Sequence, residues 1–149
     1  MKLVNSSIIM IATLLTGCTA QVNSVDALKM YSDKFGECQR LLHSNVDIPP
    51  PNLWFEALSN EDKLNVLGYL FQRNNKNCIE KETHIIYKSF TNDGNEEILD
   101  LFISDLPAME SMAKKRVSHL NQTELNKLQE SYNKPFDLRE VAKTLNLLN

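Results

Sequence analysis

The sequence predicts an all-α protein, a single compact bundle of about six to eight helices stapled by one disulfide. Three observations carry this expectation. Apolar residues recur at steps of three and four along almost the whole chain from Ser24 onward, the period of helices that bury one stripe. Residues able to cap a helix stand just before several of these stripes. The alternation expected of a strand shows only ambiguously, around Thr83 to Tyr87.

Taken in order, Val25, Leu28, Tyr31, Phe35, Cys38 and Leu42 form the stripe of a first helix, with Cys38 on its buried side. Pro49-Pro50-Pro51 cannot continue that helix, because proline lacks an N–H and its ring clashes with the preceding turn. The chain therefore crosses to the next element in extended form. Leu53-Trp54-Phe55 follows at once and holds the only tryptophan of the chain. Trp54 and Phe55 have two readings. They plug the end of the helical core, since each ring buries a large apolar area, or they are an exposed anchor for a partner or for lipid headgroups. In the second reading they are the candidate partner-binding residues.

Ser59 is suited to cap a helix whose stripe is Leu64, Leu67, Leu70 and Phe71, with Asp62 as a weaker form of the capping-box acid. The run Asn74-Asn75-Lys76-Asn77 is expected to stop it. Cys78 then opens another segment in which Ile79, Ile86, Tyr87 and Phe90 face inward. Asn92-Asp93-Gly94-Asn95 is a turn, with Gly94 in the left-handed position that closes a helix. Ile98, Leu101 and Phe102 mark a helix ending near Asp105, and Pro107 suits the first turn of the next, which carries Met109, Met112, Ala113, Val117 and Leu120. Asn121 can cap a helix holding Leu125, Leu128 and Tyr132. Asp137 with Glu140 opens the last, whose stripe is Leu138, Val141, Ala142, Leu145 and Leu148. No Pro-, Gly- or Ser-rich linker divides residues 24–149, which are expected to form one domain.

Ahead of the bundle, the single cation Lys2 precedes the apolar run Ile8 to Leu15, about eight residues where ~20 are needed to span a bilayer as a helix. Directly after it stand Leu15-Thr16-Gly17-Cys18. This arrangement resembles a bacterial lipoprotein signal with its lipobox. The resemblance implies that residues 1–17 are removed as a signal peptide, that the Cys18 thiol receives a diacylglyceryl group, and that residues 18–23 are a lipidated cysteine with a short tether. Two alternatives stay open: Cys18-Thr19-Ala20 has the small-x-small pattern of an ordinary signal-peptidase site, and the apolar run could be kept as an anchor. Each buried methylene contributes about 0.8 kcal/mol, so two or three palmitate-like chains would make anchoring effectively permanent. Thr19 is not the aspartate that retains lipoproteins in an inner membrane, so the likeness to Gram-negative lipoproteins implies an outer-membrane lipid anchor on the periplasmic face. Export also places Cys38 and Cys78 where disulfides persist, and the two are expected to be bonded to each other.

Loss of residues 1–17 removes Lys2 and no acid, leaving 15 cations against 19 anions. This mildly acidic chain has no basic stripe for a run of phosphates. Lys114-Lys115-Arg116 is one short cluster, so nucleic acid is not an expected partner. Gly36, Gly68 and Gly94 form no phosphate cradle, and no nucleophile elbow is present. His43, His84 and His119 are far apart. Glu80 and His84 share a helical face, but without a third ligand they do not make a metal motif. Glu61-Asp62 and Glu96-Glu97 fit first helical turns, where negative charge complements the helix dipole. No catalytic residue, metal, cofactor or small-molecule substrate is therefore expected.

What remains is a non-enzymatic binding or assembly factor, whose partners are membrane lipid, through acylated Cys18, and an envelope protein. In architecture alone it resembles the small helical pilotin lipoproteins that escort secretin subunits, which implies a client helix held in a groove. The alternative is an exclusion or toxin-immunity lipoprotein of a phage, plasmid or toxin operon. A membrane-bound hydrolase with a site assembled from scattered residues ranks behind both.

Overall fold

In the computed structural model, which describes residues 22–103 and 105–148, seven helices follow one another. They are α1 (Ser24–Ser44), α2 (Leu53–Ala57), α3 (Asn60–Asn92), α4 (Glu96–Ile103), α5 (Asp105–Arg116), α6 (Gln122–Ser131) and α7 (Leu138–Thr144). The described residues contain no strand, and the all-α bundle with one disulfide holds. Its helix starts use the expected chemistry. The Ser59 hydroxyl accepts from the Asp62 backbone N–H at 3.1 Å, Asn121 Oδ1 from those of Thr123 and Glu124 at 3.0 and 3.3 Å, and Asp137 Oδ1 from that of Glu140 at 3.0 Å. Gly94 has φ +71° and ends α3, as the turn predicts.

The expected break at residues 74–77 does not occur. α3 runs unbroken for 33 residues, or about 50 Å. Asparagine lowers helix propensity by only about 0.7 kcal/mol relative to alanine, and tertiary contacts exceed that. Asn74 is fully buried, and its Nδ2 donates to the Tyr132 and Lys134 carbonyls, both at 3.0 Å. One turn further on, the Cys38–Cys78 disulfide ties α3 to α1 across a Cα–Cα distance of 6.0 Å.

Two clusters share α3 as their common wall. The larger packs Val66, Leu67 and Leu70 of α3 against Phe55, Leu125, Leu128, Phe136 and Val141. The smaller joins Ala27 of α1, Ile86 and Phe90 of α3, and Leu99 of α4 at the opposite end. The Pro-rich crossing is clasped to the α6–α7 connection. The Asp137 N–H donates to the Asn45 carbonyl at 2.8 Å, Asn45 Nδ2 to the Pro135 carbonyl at 2.9 Å, and the Tyr132 hydroxyl to the Asp47 carbonyl at 2.5 Å.

Several stripe assignments need correction. On α1 only Ala27 and Cys38 are buried, while Val25, Leu28 and Phe35 are exposed. The cause is that α1 packs along α3 and along no other helix to a comparable extent, so a single line of contact covers a narrow strip. Tyr87 and Ile98 point to solvent, and Met109 and Met112 of α5 are exposed as well. Phe55 is 5% exposed and Trp54 half-buried against the same core, which is the plug arrangement; it removes Phe55 as an exposed anchor. Only their neighbour Leu53 stands free in solvent.

Candidate functional site

Leu64, Gly68, Phe71 and Gln72 are spaced i, i+4, i+7, i+8 and occupy one side of α3, whereas Val66, Leu67, Leu70 and Asn74 turn into the core. That first side is not covered. Three hollows open along it and meet at Phe71. One of about 320 Å³ lies between α3 and α5, floored by Leu64, Gly68 and Phe71 and bordered by Met109 and Met112. A second of about 330 Å³ lies between α1 and α3, with Phe35, Leu42 and Ile79 in its walls. The third, about 430 Å³, is bounded by Leu42, Leu64, Leu138 and Leu148 where α1, α3 and α7 converge. Leu42, Leu64, Met109 and Leu138 each border two of the hollows, so the three are parts of one apolar groove along α3 from Leu64 to Ile79.

The floor is rigid and the lips are soft. Phe71 sets its ring edge-on to the fully buried Phe136, with centroids 6.0 Å apart at 85°. Above it, Met109 (49% exposed) and Met112 (61%) offer unbranched, polarisable side chains that adapt to different apolar surfaces. Gly68 contributes an open space, since a Cβ built there would meet nothing within 4 Å. Charge on the rim differs in sign from the acidic chain as a whole. Arg116 and Arg139 border the groove and, among the described residues, neither is in an ion pair, while the nearby Lys76 is paired with Glu110 at 2.6 Å. Asp137, also on the rim, is occupied as the cap of α7.

Apart from His43, the residues singled out from sequence fall elsewhere. Phe55 forms a wall of a separate hollow of about 340 Å³ beside Pro49, Pro50 and Pro51, and Trp54 packs on the core. His84 and Glu80 are both exposed on α3, and His43 is exposed at the groove's edge. His119 Nε2 lies 3.0 Å from Asp62 Oδ1. Hydrogen bonds from the Ser59 hydroxyl and from His119 hold the Asp62 carboxyl below the usual carboxylate range. This contact joins the start of α3 to the segment before α6. Among the described residues no three His, Cys, Asp or Glu side chains gather as a metal set, and no helix is long and apolar enough to cross a membrane. Cys18 lies outside the described residues.

Sequence reasoning missed Gly68, Met109 and Met112 as groove residues. The available signals were a glycine kept inside a strong helix and two methionines three apart, which fit an adaptable surface as well as a core. Comparison with protein-family models, with curated proteins and with solved structures finds no match.

Proposed function

We propose that this protein is a lipid-anchored envelope protein that binds rather than catalyses, with the groove around Phe71 taking an amphipathic helix of a client in an assembly role like that of pilotins. The observation that carries this reading is the continuity of the three hollows along one side of α3. A helix laid into a groove uses apolar side chains at i, i+3 or i+4, and i+7, and such a row of anchors needs a row of connected apolar depressions. The Met lips suit a client whose side chains are of mixed shape. The anchor at Cys18 would concentrate the protein at the membrane where such a client assembles, and a mature outer-membrane protein on the periplasmic face fits that role.

Gly68→Leu tests this reading. A Cβ at this position meets nothing within 4 Å, and the substitution removes the helix penalty of glycine, about 1 kcal/mol, so the fold is expected to be as stable as before or more so. It fills the floor of the groove. Photo-cross-linking in cells from a probe at Met112 is expected to give one partner in stoichiometric yield, with the product lost in Gly68→Leu and absent from a probe at Glu80. An unchanged cross-link in Gly68→Leu, or equal yields from Met112 and Glu80, would overturn the assignment of the groove.

A further inference from the structure

We propose that the end of the bundle from which the chain emerges is a membrane-contact surface, resting on the headgroup layer of the bilayer and holding α3 upright so that the groove stands away from it. The proposal rests on acylation of Cys18, and its test separates the two. Val22 is held firmly in the body. Its carbonyl accepts a hydrogen bond from the Ser89 hydroxyl at 2.8 Å, and its side chain packs on the cluster of Ala27, Ile86, Phe90 and Leu99. Ser24 follows with two bonds to the Asp93 carboxylate, one from its backbone N–H at 3.1 Å and one from its hydroxyl. Cys18 precedes Val22 by four positions, so an acylated cysteine can lie no farther than about 14 Å from that fixed point. The start of α1, the last turns of α3 and the start of α4 are therefore brought to the lipid surface.

Those three elements carry exposed apolar side chains there: Val25 is 78% exposed, Tyr87 60% and Ile98 41%. An apolar ring with a polar tip suits Tyr87 to the boundary between headgroups and acyl chains. Charge does not drive the contact. Asp26, Asp93, Glu96 and Glu97 outnumber Lys29 and Lys88 at this end, so the surface fits a zwitterionic headgroup layer and is repelled by an anionic one. Along α3, Ser89 lies 18 residues from Phe71 and 10 from Ile79, which sets the groove's centre about 27 Å and its near wall about 15 Å from the chain exit.

The only tryptophan, Trp54, sits beyond the groove and serves as the far-end reporter. Full-length acylated protein, its modification verified by intact mass, is reconstituted into phosphatidylcholine vesicles whose acyl chains are brominated near the glycerol end. Trp54 emission in the unaltered chain is expected to be unquenched. In the Trp54→Phe background, a tryptophan placed at Tyr87, and independently one placed at Val25, is expected to be quenched about twofold or more. Exposure at both positions makes the substitutions compatible with folding. Acylated protein with both probes unquenched would overturn the contact surface, and quenching of Trp54 equal to that of the probes would show a bundle lying flat and overturn the upright arrangement. A thiol at Cys18 without acyl chains would instead overturn the anchoring on which the proposal rests.

Discussion

Asn74→Ala should destabilise the protein by about 2 kcal/mol, although it replaces a poor helix former with the best one. Asn74 is fully buried, and its amide donates to the carbonyls of Tyr132 and Lys134, both at 3.0 Å, in the segment that joins α6 to α7. Truncation leaves two acceptors without a donor. A buried carbonyl in that state costs about 1–3 kcal/mol; the part-exposed bond to Lys134 belongs at the low end of that range and the buried bond to Tyr132 near the middle. Against a sum near 3 kcal/mol stand a gain of about 0.7 kcal/mol in helix propensity and a smaller gain from removing Asn74 Oδ1, itself buried without a partner. Asn77 provides the internal control. It lies in the same asparagine-rich run but is exposed, so Asn77→Ala should be neutral or stabilise by up to about 0.7 kcal/mol. Urea unfolding of the acylated protein in non-ionic detergent, followed by helical circular dichroism, measures both variants. An Asn74→Ala midpoint equal to or above that of Asn77→Ala would refute the claim that tertiary hydrogen bonding carries the helix through this run.

Replacing both Cys38 and Cys78 by alanine should cost about 4 kcal/mol, from the chain entropy of a loop closed over a separation of 40 residues. The urea midpoint should fall while the helical signal at ambient temperature persists, and an unchanged midpoint would contradict a bonded pair. Tyr132 predicts an alkaline effect. Burial, and secondly the Asp47 carboxylate, raise its pKa above the ordinary tyrosine value of 10.0. A raised folded-state pKa means that the unfolded chain ionises first, so this stabilisation is complete below the ordinary value and is lost as pH climbs above it. The midpoint advantage of the native protein over Tyr132→Phe should therefore hold up to about pH 9 and shrink from there to about pH 11, and a constant advantage would count against this assignment.

The starts of α3, α6 and α7 and the end of α3 were legible because each depends on one residue and backbone groups a few positions away, whereas the Asn23 and Asn52 caps of α1 and α2 were not picked out. Ser59, Asn121, Asp137 and the Gly94 turn all behave as local chemistry dictates. What failed depends on contacts distant in sequence. The asparagine run looked like a stop because its partner, the segment around residues 132–134, lies some 60 positions away. Likewise, a three-four apolar spacing says that a helix has an apolar stripe, not how many neighbours will cover it. α1 packs along α3 and along no other helix to a comparable extent, so Val25 and Phe35 stay in water, whereas α3 has neighbours on several sides and buries Val66, Leu67 and Leu70 completely. The groove was illegible for the same reason, since its walls come from four helices, α1, α3, α5 and α7. The disulfide was legible from the inferred compartment and the pairing arithmetic of two thiols.

The groove is also where local sequence preference and fold disagree most. Glycine within an α-helix costs about 1 kcal/mol relative to alanine, and at Gly68 an alanine methyl would clash with nothing. Packing therefore does not explain this glycine. Met109 and Met112 leave large apolar side chains in solvent on a helix whose last turn places Lys114 and Lys115 at ordinary exposed positions. Local rules broken without a compensating gain in the folded chain mark surfaces shaped for something else. Here the breaches adjoin one another around Phe71, and each enlarges or softens the same apolar groove. The proposed client helix would supply the missing contacts in one step: its anchors would cover the two methionines and occupy the space above Gly68. On this argument Gly68→Ala raises stability and Gly68→Leu abolishes binding, a pair of effects that a purely structural role for Gly68 would not produce.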